Sequence, residues 1–394
     1  MTAEAFPNAS RGAKAAPAVS EDVASGQIVI ISARWVLVLA GLLLTLWQPG
    51  TLAELRVHIV ALLLLAVGNF YLHAQVLMRR QLPDLAVYAA SVADIAVISL
   101  LAFSQGGAAS GIYIFYFPAI MAFAVAFPGA VTGGFGAAVL LLYGTLYAVS
   151  AGGAESPQVG IARLLMIAAV ATCGYLYWRI EAGRRKSIAA ALDALLTPEA
   201  RRAREAGEDL FFGQIVTIWA RWFVIAASGA VALWSAATPA EVTVATLVVV
   251  AMMALNFFLH GRYLMERPAN RALLLAVSAL DLLLISLIVA TWQGGVGVGS
   301  QLFVLYYPAL LAFAFVFPPR ATLLATAATL AAYVGACLVA DPSFVADMAD
   351  VKTLVMRLIT LAAMGGLGTF YWRIQRLRRH EALGRAQATV EPIA

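Results

Sequence analysis

Apolar residues run along this chain in long blocks separated by short polar punctuation. The pattern is neither the alternation of a half-buried strand nor the one-sided stripe of a surface helix. Each block is roughly 16 to 22 residues long, about what crosses a hydrocarbon core as a helix. The pattern predicts spanning helices near 28–47, 57–77, 84–103, 112–127, 130–150 and 160–179, and again near 215–235, 242–264, 271–292, 301–317, 321–341 and 351–373. Only Phe127-Pro128-Gly129 and Phe317-Pro318-Pro319 part the fourth and fifth blocks of each set. Proline lacks the donor that a continuing helix needs, so tight turns are expected there.

The two sets are copies of one another. Gly26-Gln27-Ile28-Val29 recurs as Gly213-Gln214-Ile215-Val216, and Arg34-Trp35 as Arg221-Trp222. The spacing of 187 residues also relates Glu54 to Glu241, Asn69 to Asn256, His73 to His260 and Asp94 to Asp281. It grows to 190 for Tyr116, Pro118 and Pro128 against Tyr306, Pro308 and Pro318, and to 194 for Arg163 and Tyr177-Trp178-Arg179 against Arg357 and Tyr371-Trp372-Arg373. Insertions fall between helices, as a tandem duplication predicts. The expected organisation is an all-α polytopic membrane protein of 12 transmembrane helices in two parallel six-helix repeats. Residues 1–25 are expected as a disordered cytoplasmic tail, 26–180 and 213–374 as the repeats, 181–212 as a charged and largely helical cytoplasmic linker, and 375–394 as a cytoplasmic tail.

Composition supports lipid as the solvent: 62% of residues are hydrophobic and 12% charged, about half the charged share of a soluble domain. The net charge of +5 does not point to nucleic acid, because the basic residues flank apolar blocks and form no stripe of their own. Arg79, Arg80, Arg262, Arg267 and Arg271 lie in or at the ends of the loops between the second and third helices, and Arg184, Arg185, Lys186, Arg376, Arg378 and Arg379 follow the sixth. The segments 104–111, 151–160 and 293–300 carry no Lys or Arg. Both termini are therefore expected in the cytoplasm of a bacterium, with the chain multi-pass in its inner membrane. The apolar first block shows no cleavage site and is expected to be kept. Cys173 and Cys337 stand alone in apolar blocks, which argues against a disulfide or a zinc site.

A charge at the bilayer centre costs at least about 2.5–3.5 kcal/mol, so ionisable residues within the blocks need partners. Counted from the cytoplasmic helix ends, Asp94 lies roughly 15 Å deep, Asn69 roughly 12 Å, Arg34 roughly 10 Å and His73 roughly 6 Å. Asn69 and His73 are four residues apart and share a helix face. These spacings predict a polar layer of Arg34, Asn69, His73 and Asp94, repeated as Arg221, Asn256, His260 and Asp281. The layer has a structural use, with Arg and Asp neutralising one another and Asn and His tying helices together. It also has a functional one, as a ligand or proton site. Trp35, Trp178, Trp222 and Trp372 are expected as interfacial anchors. Gly106-Gly107 and Gly294-Gly295 are expected to form turns, and Gly133-Gly134 and Gly136 close helix contacts. His380, in His380-Glu381, has only 14 residues after it and reads as a solvated tail element, not a phospho-acceptor.

Arg34-Trp35, Asn69, Asp94, Gly106-Gly107 and Pro118, and again Arg221-Trp222, Asn256, Asp281, Gly294-Gly295 and Pro308, occur in an order similar to a known sensor module. Each half resembles the N-terminal six-helix membrane module of bacterial sensor histidine kinases, including the redox-sensing Reg/Prr type, and of membrane-anchored adenylate and diguanylate cyclases. In the redox type a Gly-Gly-x-x-Asn-Pro-Phe segment is associated with quinone. Segments 106–112 and 294–300 here keep the glycines and lack the Asn-Pro-Phe, which speaks against quinone. The resemblance implies a non-enzymatic sensor or signalling subunit without a kinase or cyclase output domain. Such a subunit would bind a small or lipophilic ligand within the bundle and act on a separate cytoplasmic kinase or cyclase. The alternatives are a secondary transporter of a small solute or ion using Asp94 and Asp281, and an assembly factor for a membrane complex. No cofactor is legible.

Overall fold

The computed structural model describes residues 18–47, 51–78, 84–150, 157–191, 214–230, 239–264, 269–291 and 295–390. Among them the fold is all-helical, without a strand. The α-helices are α1 (Ala18–Trp47), α2 (Leu52–Leu77), α3 (Asp84–Ser104), α4 (Tyr116–Ala126), α5 (Gly129–Ser150), α6 (Pro157–Ala191), α7 (214–230), α8 (Pro239–Leu264), α9 (Arg271–Thr291), α10 (Tyr306–Val316), α11 (Pro319–Ala340) and α12 (Met348–Val390).

Among the described residues, eight helical stretches are long and apolar enough to cross a membrane: Gln27–Trp47, Glu54–Val76, Leu85–Ser104, Gly129–Ser150, Val159–Leu176, Arg271–Thr291, Pro319–Ala340 and Met348–Phe370. Gly111–Ala126, Val248–Tyr263 and Gln301–Val316 are apolar but shorter. The helix expected at 215–235 is described over 214–230. Helix α1 begins at Ala18, within the stretch expected as a disordered tail, and residues 1–17 lie outside the described residues. Helix α6 enters the linker as far as Ala191, and α12 runs on to Val390. Residues 192–213, most of the expected linker, also lie outside the described residues.

The surface is apolar where a soluble protein would be polar. Helix α9 buries Leu274, Val277, Asp281, Ile285 and Val289 along one stripe and exposes Leu275, Leu280, Leu283 and Leu287 on the other faces. A helix apolar all round, with its one carboxylate turned inward, suits lipid outside and protein inside.

Helices α4 and α10 form the centre. Every residue of α4 is buried, beneath α1, α3, α5, α6 and α12. Helix α10 packs against α6, α9, α11 and α12. Each is preceded by a 3-10 turn, Gly111–Phe115 or Gln301–Leu305. At about 2.0 Å per residue the turn stretches each 16-residue segment to roughly 26 Å, close to a core thickness of about 30 Å. A short segment so becomes nearly long enough to span.

The expected proline breaks are present. Helix α4 ends with Phe127 extended and α5 starts at Gly129, and α10 and α11 part in the same way at Phe317 and Pro319. Thr132 Oγ1 donates to the carbonyls of Phe123 and Phe127, and Thr322 Oγ1 to those of Phe317 and Pro318, satisfying groups that the break leaves open. Gly106 and Gly107 have φ of 101° and 68°, a region that favours glycine. Gly295 and Gly297 lie there too, whereas Gly294 is outside the described residues. Of the glycines expected at helix contacts, Gly136 is the tight one: a Cβ there would lie 2.7 Å from that of Ala171 on α6. Gly134 has open space around it.

Candidate functional site

Arg34 reaches from α1 to Asp94 on α3. Its Nε donates to one carboxylate oxygen at 2.5 Å and its NH2 to the other at 2.7 Å, with both side chains buried. This two-pronged geometry gives each charge a hydrogen-bonded counter-charge, which burial requires. Pro118, Ala119 and Phe123 of α4 and Phe115 help close over the pair, leaving about 20 Å³ beside it.

Arg221 on α7 and Asp281 on α9 meet differently. They form one contact, NH1 to Oδ2 at 3.2 Å, although both are buried. None of the Arg221 guanidinium nitrogens makes a hydrogen bond among the described residues, and neither does Oδ1 of Asp281. A cavity of about 250 Å³ opens beside them, walled by α7, α9, α10 and α11.

The other expected members of the layers divide in two. Asn69 is buried and donates Nδ2 to the Ile31 carbonyl at 3.1 Å, and Asn256 does the same to Ile218 at 3.2 Å. Each ties the second helix of its half to the first, one turn from the arginine. His73 and His260 do not join them. His73 is exposed and receives the indole N–H of Trp35 at 3.4 Å, and His260 is half-buried against Tyr263. A shared face therefore did not mean a shared depth of burial. Trp35 and Trp222 sit edge-on to Phe70 and Phe257 and are half-buried. The side chains of Trp178 and Trp372 lie outside the described residues.

A second polar level escaped the sequence reading as a site. Arg163 on α6 is 2% exposed and donates to the Ala108 carbonyl, to Tyr143 Oη at 3.3 Å and to Gln301 Oε1. Its guanidinium lies 4.3 Å from the Tyr113 ring centre. Arg357 on α12 donates to the carbonyls of Val298 and Ser300 and to Tyr333 Oη, over the ring of Phe303. Each arginine fastens a glycine-rich turn onto the last helix of its half. The signal was available: a single arginine within an apolar block needs a partner, the argument already applied to Arg34.

The tyrosines of the central segments are also paired. Tyr116 Oη meets Ser99 Oγ at 2.7 Å, and Tyr306 Oη meets Ser286 Oγ at 2.8 Å. Cys173 and Cys337 are separate free thiols, both buried. Compared with known proteins, the chain matches no family model, no curated protein and no solved structure.

Proposed function

We propose that this chain is a twelve-crossing inner-membrane protein, made of two six-helix repeats that face the same way with both termini cytoplasmic. We propose further that it is a non-enzymatic sensor or signalling subunit. It binds a small lipophilic molecule within its bundle and passes a helix shift to a separate cytoplasmic kinase or cyclase.

The repeat is supported by contacts that recur at the spacings found in the sequence. The Arg–Asp pairs, the Asn-to-carbonyl ties at Ile31 and Ile218, the Ser–Tyr pairs and the Arg–Tyr pairs at 163–143 and 357–333 all correspond. So do the close approaches of Gly174 to Ala124 and of Gly368 to Ala314.

One observation carries the sensor reading. The cavity beside Arg221 and Asp281 is walled partly by α10 and α11, and α12 packs on both. Helix α12 then continues beyond its apolar stretch, from Phe370 to Val390. A molecule that spreads α10 and α11 would therefore bias the position of a long helix leaving the bundle, an input–output connection through packed elements.

The test is native mass spectrometry of the protein extracted from its own membrane. A kinase or cyclase should accompany it, together with a bound lipophile. Proton or solute flux in liposomes, lost in D94N/D281N, would replace the sensor reading with a carrier.

A further inference from the structure

We propose that the Arg221–Asp281 cavity is a ligand chamber for a small lipophile with a neutral hydroxyl head, and that the matching place beside Arg34–Asp94 is a closed structural pair. The proposal deepens the sensor reading above and rests on it only for what binding accomplishes.

The two places differ in volume by an order of magnitude. About 20 Å³ beside Arg34 is room for roughly one water, whereas an engineered apolar cavity of about 150 Å³ in another protein takes benzene. The 250 Å³ beside Arg221 exceeds that.

Side chains at corresponding positions differ in size. Phe135 on α5 fills the first half, its ring 4.8 Å from Phe123 and 5.5 Å from Phe127. The residue 190 positions later is Ala325, on the cavity wall. Leu37 likewise corresponds to Val224, a wall residue. Two apolar positions, Ile30 and Val139, correspond to the hydroxyl-bearing wall residues Thr217 and Thr329. The second half has become both emptier and more polar at one place.

The polar end of the chamber specifies the head group. Among the described residues the Arg221 N–H groups lack acceptors and Asp281 Oδ1 lacks a donor, on two buried side chains that both line the chamber. A hydroxyl answers both, its oxygen accepting from the guanidinium and its proton donated to the carboxylate. A neutral head also leaves the charge balance of the pair intact, whereas an ion would add an unpaired charge in a medium that penalises it. The apolar end, with Val224, Ile285, Leu310 and Phe313, takes a hydrocarbon body. Leu275, Ala279 and Ala328 line the chamber and are exposed on the outer surface of α9 and α11. Entry is therefore from the lipid side, which selects a lipophile.

The experiment uses the full chain in nanodiscs, with 4-butylphenol as probe and butylbenzene as its hydroxyl-free counterpart, followed by thermal shift and saturation-transfer NMR. The phenol should bind about tenfold or more tightly than butylbenzene, since it alone makes hydrogen bonds to charged groups. Ala325→Phe, which places in the second half the ring that the first half already holds, should abolish binding. Ala325→Leu should reduce it and serves where the larger substitution does not fold. No binding of the phenol, equal affinity for the two probes, or undiminished binding to the filled variants each overturns the chamber. Phenol binding that is lost in A325F while no effector accompanies the protein keeps the chamber and overturns the sensor reading. A co-isolated effector without phenol binding does the reverse.

Discussion

Phe117 and Tyr307 lie face to face at the middle of the bundle, ring centres 4.1 Å apart and planes 10° from parallel. They stand 190 residues apart, the same spacing that relates Tyr116 to Tyr306. Contact between corresponding residues is what an approximate two-fold axis between proposed repeats requires, since only positions on such an axis meet their own counterparts. Both rings are fully buried, and Tyr307 Oη is also bonded to Thr360 Oγ1 at 2.6 Å.

Removing one of these rings should loosen the halves from each other. Phe117→Ala is expected to cost about 3–5 kcal/mol, the usual loss for a buried aromatic. Thermal unfolding in detergent would register it. Phe117→Tyr adds a hydroxyl in a dry core and should fall between Phe117→Ala and the parent protein.

The two Arg–Asp pairs should respond unequally. Asp94→Ala strands a buried guanidinium that had two hydrogen bonds and should cost about 3–5 kcal/mol. Asp281→Ala removes a single contact beside a cavity able to admit water, and the loss should be clearly smaller. Replacing both Arg34 and Asp94 by Leu and Met should recover most of the first loss, because a well-packed apolar pair has no charge to desolvate. Chemical or thermal unfolding of the three variants beside the parent protein would test the order.

The contact between the halves is asymmetric, and this can be measured. Gln301 reaches Arg163, whereas its counterpart Gly111 lies against Met356, where a Cβ would come within 2.3 Å of Met356 Cε. Gly111→Ala should therefore displace the flexible end of Met356 at a small cost in stability. Met356→Ala should relieve that loss, with a coupling of about 0.5–3 kcal/mol in a double-mutant cycle.

Close helix approach at Gly368 leaves no room for a side chain, since a Cβ would lie 2.5 Å from that of Ala314. Gly368→Val should push α12 away from α10 and lower the unfolding temperature by several degrees. The same substitution at Gly366, which has open space, should have little effect.

Topology is open to a direct test. Reporter or glycosylation tags at Gln105 and Gln293 should lie on one side of the membrane and a tag after Trp372 on the other. A common location for all three would overturn the twelve-crossing arrangement.

The linear pattern of apolar blocks determined that the described residues are helical and where the apolar part of each helix lies, although α1, α6 and α12 run on past their blocks. Pro128 and Pro318 determined where α4 and α10 stop, because a missing donor acts locally. The need of a buried charge for a counter-charge made the pairing of Arg34 with Asp94 legible before any fold was known. Counting residues along a helix gives depth and face but not how far its neighbours cover that face, so His73 could share a face with Asn69 and yet lie exposed in the fold. Tertiary packing alone decided that one Arg–Asp pair is doubly hydrogen-bonded beside a void of about 20 Å³ and its counterpart stands beside one of about 250 Å³. The wall of the larger void includes Ala325, whose counterpart in the first half is Phe135, both distant in the chain from either pair. Such a difference has no signature in periodicity or charge, because a void belongs to several helices at once and to no single stretch of sequence.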